Sequence, residues 1–255
     1  MQNLGKTRNI FDMIDPGNLF KGSIDARRDL LCAQNPSKAP VAEARPVANL
    51  VPIRSLGANH RPRILQHLLA LDPGDRHLRF GYAAQDAQVQ RYVDSLDFER
   101  DEIFGIYNRK LDLIAVAHLA YPADPSFESC AEFGVSVLPS ARGRGYGARL
   151  FDRAAMHAAN DGIRMLFIHA LSENDAMLKI ARNAGAIVQR DGTESEAYLQ
   201  LPQPTLDSQV KEIIEEQVAQ TDYLIKVQAN QFWSFLSNLQ RIRRDVVDEQ
   251  ERTPY

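Results

Sequence analysis

The chain is poor in cysteine and has no long apolar run. Its only cysteines, Cys32 and Cys130, lie far apart without metal-ligand spacing, which argues against a disulfide framework or a cysteine-based zinc site. We expect two free thiols and a reducing compartment. No apolar stretch approaches the roughly 20 residues that a membrane-spanning helix needs. The N-terminus lacks a charged-then-apolar leader, so we expect a cytoplasmic protein.

An excess of positive charge is also missing. The net charge of −3 and the isoelectric point of about 6.1 give no reason to expect a nucleic-acid partner. With 44% apolar and 25% charged residues, the 255-residue chain has the composition of a globular protein with a sizeable core. We expect one domain with extensions and no metal site.

The most informative stretch is Cys130 to Gly147, which reads C-A-E-F-G-V-S-V-L-P-S-A-R-G-R-G-Y-G. Its apolar residues predict a strand that stops at Pro139, and its glycines open a helix running to about Asn160. Glycines allow positive φ, so consecutive N–H groups can converge on phosphate oxygens at a helix start. Two arginines add charge and forked donors. The expected anion-binding residues are Arg142, Gly143, Arg144, Gly145, Tyr146 and Gly147.

Three other interpretations of this loop are weaker. A dinucleotide-binding fold would place G-x-G-x-x-G directly after the strand, whereas four residues separate the strand from Gly143. A P-loop is excluded because no Gly-Lys-Ser/Thr occurs in the sequence. A plain glycine-rich turn with solvated arginines leaves the flanking strand and helix unexplained.

The pattern Arg142-x-x-Gly145-x-Gly147 between a strand and a helix resembles the coenzyme A diphosphate loop of the GNAT N-acetyltransferases. The flanking sequences, including Ala131-Glu-Phe-Gly-Val-Ser-Val137, look like the GNAT domain of bacterial protein-lysine acetyltransferases. So does the upstream run Arg76-His-Leu-Arg79-Phe80. The resemblance covers about 49–201 and implies acetyl-CoA as co-substrate and an amine as acceptor.

The order of elements predicts an α/β (α+β) fold with a mixed, mostly antiparallel sheet flanked by helices. Predicted strands are Asn49–Arg54, Ile103–Asn108, Leu113–Tyr121, Ser129–Leu138, Met165–Leu171, Ala186–Gln189 and Ala197–Leu201. Helices are expected over Arg63–Leu71, Asp86–Leu96, from the glycine loop to Asn160, and from Asn174 to Asn183. The resemblance implies the same architecture.

The resemblance also implies a catalytic site. Acetyl transfer needs a neutral amine, yet a lysine amine with a pKa near 10.4 is mostly protonated at pH 7. Glu132 stands where the related lysine acetyltransferases place a catalytic glutamate, so it is the candidate general base. The alternative is a solvated glutamate. Backbone N–H groups near Val135 and Val137 would hold the thioester carbonyl and the oxyanion.

One departure concerns the general acid. The family commonly has a tyrosine seven residues after the asparagine of the next helix, and here that position is Ala181. Ser172 and His169 lie nearby in sequence. Ser172 is kept as a catalytic candidate, although a satisfied hydroxyl and a strand histidine are the simpler interpretations. Asn174 is expected to bond the pantetheine arm or to cap its helix, and these two roles are compatible.

The ends of the chain are read as extensions. Residues 1–48 are interpreted as an N-terminal extension and linker, 49–201 as the catalytic domain, and 202–255 as a C-terminal helical extension after Pro202 and Pro204. Apolar residues at 210, 214, 218, 225, 232, 236, 239 and 246 predict one long helix or two. Because this set is not a strict heptad, it argues against a long coiled coil. The helix could pack on its own domain or form a homodimer.

Two function classes remain open. The first is an acetyl-CoA-dependent N-acetyltransferase acting on a protein lysine or a small amine, with Glu132 as general base. The second is a catalytically weak acyl-CoA-binding regulatory protein of the same fold. Glu132 favours the enzyme, and Ala181 favours the binding protein.

Overall fold

A computed structural model of the protein describes residues 51–122 and 129–251, with side chains described up to residue 231. The predicted extension at 1–48 and the start of the first predicted strand lie outside these residues. Within them, no helix is long and apolar enough to cross a bilayer. No group of three or more histidine, cysteine or acidic side chains is arranged to hold a metal ion in the described ranges.

The core of the structure is one seven-stranded sheet in the order β1-β2-β3-β4-β5-β7-β6. All neighbouring strands are antiparallel except β4 and β5, which are parallel. The strands are β1 (Arg54–Ser55), β2 (Glu102–Tyr107), β3 (Leu113–Ala120), β4 (Cys130–Val137), β5 (Met165–Leu171), β6 (Ile187–Asp191) and β7 (Glu194–Gln200). The predicted mixed, mostly antiparallel sheet is therefore confirmed.

Helices cover both faces of the sheet. They are α1 (Arg61–Leu69), α2 (Pro73–Phe80), α3 (Asp86–Asp94), α4 (Tyr146–Asn160), α5 (Asp175–Asn183) and α6 (Leu206–Glu251). Helices α4 and α5 pack on one face around Phe133 and Phe151, whose rings meet edge to face at 5.0 Å. Helices α1 and α3 pack on the other face around Ile64, Leu68 and Val89. Two apolar layers thus bury the sheet from both sides.

Two elements differ from the sequence expectation. The first strand is only Arg54–Ser55, shorter than the predicted Asn49–Arg54 in the part that can be compared. Asp72-Pro73-Gly74 follows the end of α1, as expected, but it also begins α2: the Asp72 carboxylate accepts from the N–H of Asp75, and Pro73 occupies the first turn. Gly81, at φ 79°, closes that helix in the left-handed conformation. A helix therefore stands where no element was expected.

The C-terminal helix α6 is continuous, and its first half docks on the domain. Arg153 on α4 is buried and donates to the Glu212 carboxylate at 2.6 Å. Tyr223 accepts from Arg63 at 3.0 Å, and its ring lies 4.0 Å below the Arg54 guanidinium. Lys226 donates to the Tyr107 carbonyl at 3.1 Å. Docking on the same chain, one of the two expectations for this helix, is thus observed in its first half.

Candidate functional site

The parallel strands β4 and β5 separate partway along the sheet. Their pairing covers Cys130 with Met165, Ala131 with Leu166 and Glu132 with Phe167. Strand β4 continues to Val137 and β5 to Leu171, so the two strands diverge directly after Glu132. Backbone groups on the diverging sides of both strands lose a strand partner, and an extended ligand can take its place.

The glycine loop lies at the open end of this divergence. Gly143 and Gly145 both have φ of 75°, and a Cβ added to either would meet nothing within 4 Å. In the described part of the chain, the first backbone N–H that forms a helical hydrogen bond in α4 is that of Arg149, which donates to the Gly145 carbonyl at 3.1 Å. In the described ranges no hydrogen bond is found for the preceding N–H groups of 143–148, so they are available to an anion.

Gly147 has a packing role rather than a turn role. A Cβ at this position would lie 3.1 Å from Cδ1 of Ile180 on α5, so the missing side chain lets α4 and α5 approach closely. Tyr146, the first residue of α4, is partly buried against the core. Arg144 is exposed at the tip of the loop.

Arg142 is already engaged by the protein. Its guanidinium forms an ion pair with Asp75 on α2, and its Nε donates to the Val137 carbonyl at 3.2 Å. The Asp75 side chain is only 10% exposed, and its second carboxylate oxygen is buried without a hydrogen bond. The proposed coenzyme loop is therefore tied to a helix on the opposite face of the sheet.

Glu132 is half-buried on the face of β4 that also carries Gly134 and Ser136. Gly134 allows the Arg79 guanidinium to lie against the strand, because a Cβ there would be 2.8 Å from its Nη1. Ser136 shares a hydrogen bond of 2.8 Å with Nε2 of the buried His67. The candidate base thus lies on a polar face that includes a fixed cation.

A buried chain of hydrogen bonds holds that cation. Arg79 donates to the Tyr92 hydroxyl at 2.9 Å, Tyr92 is 2.8 Å from Nδ1 of His118, and His118 Nε2 is 3.1 Å from Asp101. Because the Tyr92 oxygen accepts from Arg79, its own proton goes to Nδ1 of His118. The proton on His118 therefore sits on Nε2 and is donated to the carboxylate. All donors in the chain point from Arg79 towards Asp101.

The pKa shifts agree with this assignment. Burial lowers the pKa of His118, although Asp101 acts to raise it, so the imidazole is neutral at pH 7. Burial acts to raise the pKa of Asp101, but hydrogen bonds from His118 and Arg100 outweigh it and lower that pKa overall. Burial raises the pKa of Tyr92, and the Glu132 charge acts in the same direction. The Glu132 carboxylate is therefore close enough to Tyr92 for its charge to affect the Tyr92 pKa.

Helix α2 bridges the strand divergence on this face. Besides the Asp75–Arg142 pair, His77 lies 3.1 Å from Glu173 beyond the end of β5, and Asn174 donates to the Leu78 carbonyl at 3.4 Å. A cavity of about 10 Å³ lies under this region, enough for about one water molecule. Arg79, Tyr92, His118 and Ser136 contribute its polar lining. Helix α2 therefore closes this face of the strand divergence.

The remaining candidates have structural partners. The Ser172 hydroxyl is bonded to the carbonyls of Gly192 and Glu194 and to the Ser195 hydroxyl, at 2.8 to 3.1 Å. These contacts favour the interpretation of Ser172 as a satisfied hydroxyl. Asn174 caps α5 by accepting from the N–H of Met177 at 3.1 Å, which is one of its two expected roles. His169 is exposed, 3.7 Å from Glu194.

Sequence reasoning missed the chain behind Arg79. Its only signal was His118, a single polar residue within the otherwise apolar run Leu113–Ala120. Tyr92 and Asp101 come from other elements, and nothing in their local sequence connects them. Asp75 was likewise hidden, since its helix was not predicted.

Comparison with known proteins supports this geometry. Residues 69–186 match the acetyltransferase (GNAT) family. The GNAT domain of S. lividans PAT is 21% identical, covers 58% of this chain and 89% of its own, and superposes with a TM-score of 0.51. A GNAT-family acetyltransferase from Streptococcus pneumoniae is 10% identical over 59% of this chain and 98% of its own, with a TM-score of 0.49.

A spermidine N-acetyltransferase from Vibrio cholerae, solved with CoA and spermine, is 15% identical over 58% of this chain and 94% of its own, with a TM-score of 0.47. No curated protein sequence is a significant match. The likeness to the S. lividans domain shows the fold, and the family match covers both the divergent strands and the glycine loop. Residues 69–186, somewhat less than half of the chain, therefore match the acetyltransferase (GNAT) family, and the fold agrees with that match.

Proposed function

We propose that this protein is an acetyl-CoA-dependent N-acetyltransferase that acetylates a primary amine, either a protein lysine or a small amine. One observation carries the proposal: β4 and β5 part directly after Glu132, and a loop with available N–H groups stands at the open end. The family generally consists of acetyltransferases. The arrangement supports a thioester carbonyl near the strand divergence and a diphosphate at the loop.

The residues present fit coenzyme A. The N–H groups of 143–148 and the cations Arg142 and Arg144 suit its diphosphate, and the strand edge near Val135 and Val137 suits its pantetheine amides. Asn174 could contribute to the same arm, since its amide lies at the end of β5. Bound there, acetyl-CoA supplies the acetyl thioester. The chain supplies orientation and proton transfer.

Glu132 is the proposed general base. Its carboxylate accepts a proton from the ammonium form of the acceptor, directly or through water, so that the neutral amine attacks the carbonyl carbon. The N–H groups near Val137 stabilise the oxyanion that forms. The sulfur leaves as a thiolate, with a reference thiol pKa near 8.5, so the lack of a tyrosine at Ala181 slows the step without preventing it.

The experiment is a CoA-release assay with a panel of amines, comparing the wild type with Glu132→Gln. We expect saturable turnover in the wild type and a loss of about 10²-fold or more in kcat for the variant, in line with removal of a general base. CoA affinity should stay unchanged. Glu196→Gln, on β7 of the same sheet, is the matched control and should keep full activity. Equal turnover by Glu132→Gln would exclude Glu132 as the base.

A second candidate function is an acyl-CoA-binding regulatory protein with little catalysis. Two observations favour it: Ala181 is fully buried where the family commonly has a tyrosine, and the Ser172 hydroxyl is occupied by backbone carbonyls. The same assay distinguishes the two, because calorimetric CoA binding without turnover on any amine supports the regulatory protein.

A further inference from the structure

The docked half of α6 has two different faces. One face lies on the domain through Glu212, Glu216, Ala219, Tyr223 and Lys226. Large apolar side chains on the rest of its surface stay exposed: Leu206, Val210, Ile213, Ile214, Leu224 and Ile225 are 54–83% exposed. Apolar patches of this kind mark interaction sites. The domain therefore leaves part of the helix without an apolar partner.

Two of these exposed residues, Ile214 and Ile225, belong to a coiled-coil repeat in the sequence of the helix. Alternating steps of four and three residues connect ten positions: Ile214, Val218, Thr221, Ile225, Gln228, Phe232, Phe235, Leu239, Ile242 and Val246. Eight of the ten are apolar, and all lie within the one helix Leu206–Glu251. We call these ten positions the seam. Where side chains are described, Ile214 is 56% and Ile225 is 61% exposed.

The seam revises the sequence expectation against a coiled coil. That expectation used a set of eight apolar positions that includes Val210 and Leu236, which lie off the seam. With the helix boundaries known, a left-handed coiled-coil spacing holds over five repeats.

We propose that the seam pairs two copies of this chain as an antiparallel coiled coil. The charges of the helix favour a second copy in this orientation. Apart from Glu212 and Glu216, which are bound to the domain, residues 206–228 contain three acidic and two basic side chains, a net charge of −1. Residues 225–247 contain four basic side chains and one acidic side chain, a net charge of +3. An antiparallel copy places these segments opposite each other, whereas a parallel copy places the two +3 segments against each other.

The register follows from the seam. Layers in an antiparallel pair combine position 225 with 228, 218 with 235, and 214 with 239 of the other copy. This register puts Glu215 opposite position 243, an arginine, beside the core. Gln228 is the one amide in the seam, and its layer lies next to the two-fold axis, where a polar residue fixes register at some cost in stability.

The geometry of the domains is compatible with this pairing. Within the described side chains, docking contacts run from Ser208 to Lys226, and the helix continues roughly 37 Å further at 1.5 Å per residue. Two antiparallel copies therefore carry their domains towards opposite ends of one rod. A membrane surface fits less well, because the segment with the exposed apolar residues is acidic overall.

The test is the molar mass of the full chain by sedimentation equilibrium across a range of concentrations. We expect twice the chain mass of 28.7 kDa for the wild type. Ile214→Asp with Ile225→Asp should weaken dimerisation at least about 100-fold, because a charge enters two core layers. Ile213→Asp is the matched control, since Ile213 is equally exposed, at 62%, but lies off the seam. Helicity and CoA binding should persist in every variant.

Orientation is tested by a charge exchange. Glu215→Arg and Arg243→Glu should each weaken the dimer, and the double variant should restore it, because an antiparallel pair opposes these two positions. The proposal would be overturned if the wild type stayed monomeric at about 100 μM, because the expected dissociation constant of the dimer is far below that concentration. A dimer that the seam variant leaves intact, or single exchanges that the double variant does not rescue, would also overturn it.

Discussion

At the scale of single residues, the pair Asp75–Arg142 connects the glycine loop, the proposed coenzyme site, to helix α2. Arg142 is expected to grip a diphosphate, yet its guanidinium is bound by a carboxylate that is only 10% exposed. An anionic coenzyme must therefore compete with Asp75 for the same donors. The carboxylate also adds a negative charge close to the loop.

Replacing Asp75 by Asn should tighten coenzyme A binding. The change frees Arg142 and removes a repulsion, and we expect a decrease in Kd of about 3- to 10-fold, the size of a partly screened charge interaction. Isothermal titration calorimetry at two salt concentrations measures it, and the gain should shrink at high salt. Asp86→Asn is the control, because Asp86 pairs with Arg76 and is 77% exposed. Weaker binding by Asp75→Asn would show that Asp75 supports the loop instead.

The chain behind Arg79 gives a second prediction at this scale. Tyr92→Phe removes the hydroxyl between Arg79 and His118, so both lose a partner in a buried setting. We expect a loss of about 1–3 kcal/mol in the free energy of unfolding, typical for unsatisfied buried polar groups. Urea denaturation measures it. Tyr82→Phe is the control, since the Tyr82 hydroxyl has no hydrogen bond in the described residues, and its stability should be unchanged within about 0.5 kcal/mol.

Local sequence reveals some of these residues and hides others. The turn at the glycine loop can be predicted from the local sequence, because glycine adopts the φ of 75° found at Gly143 and Gly145 without steric cost. Contacts such as Asp75 with Arg142 join residues far apart in the chain, and no local pattern encodes them. The Ser172 hydroxyl is another example, because it is hydrogen-bonded to carbonyl groups of the β6–β7 hairpin, which comes about 20 residues later in the chain.

At the scale of elements, the docking of α6 depends on a cluster around Glu212. This carboxylate binds Arg153, His157 and Asn160 of α4. His157 also faces Glu102 at 3.9 Å and Asp161 at 3.2 Å. Burial acts to lower the His157 pKa, but Glu212 and Asp161 outweigh it and raise that pKa above 6.5. Burial acts to raise the Glu212 pKa, but His157 and Arg153 lower it to about 2.

The cluster predicts a defined pH dependence for its contribution to stability. The raised His157 pKa contributes stability that is complete below 6.5 and is lost as the pH rises through its folded-state pKa. The lowered Glu212 pKa contributes stability that is present above 4.5 and is lost as the pH falls towards 2. The stability difference between the wild type and Glu212→Gln should therefore be largest between pH 4.5 and 6.5.

Thermal unfolding of both proteins across pH 3 to 9 measures this difference. At its maximum we expect about 1–3 kcal/mol, since hydrogen bonds to charged groups are lost. Lys211→Gln serves as control: it lies on the same helix, its side chain is 65% exposed, and its ion pair with Glu215 spans 4.0 Å. That variant should change stability by less than about 0.5 kcal/mol at any pH. A flat difference for Glu212→Gln would show that the cluster does not hold the helix.

Most elements could be predicted because their apolar periodicity is strong. Met165–Leu171 was expected at its observed bounds, and α4 and α5 within a few residues. Helix α2 was missed for a physical reason: it has no fully buried side chain and is fixed by its cap, by Pro73 and by ion pairs. The prediction made strand β1 too long, because only two residues of this apolar stretch pair with β2.

At the scale of the whole molecule, the predicted boundary at 202 separates the catalytic domain from a helix that is partly built into it. Ser55 on β1 donates to Glu216 at 3.1 Å, and Arg54 and Arg63 both contact Tyr223. The first half of α6 is therefore part of the folded unit. The second half belongs to the proposed seam.

Two truncations separate these roles. A chain ending at Leu201 loses the cluster around Glu212 and the Tyr223 contacts, so its melting temperature should fall by about 5 °C or more, the response of a domain this size to a few kcal/mol. A chain ending at Gln231 keeps every docking contact named for α6 but only half of the seam. It should melt at the temperature of the wild-type monomer, bind coenzyme A with the same affinity and sediment as one copy. If the shorter chain matched the longer one in melting temperature, the helix would be a separate extension, as the sequence alone suggested.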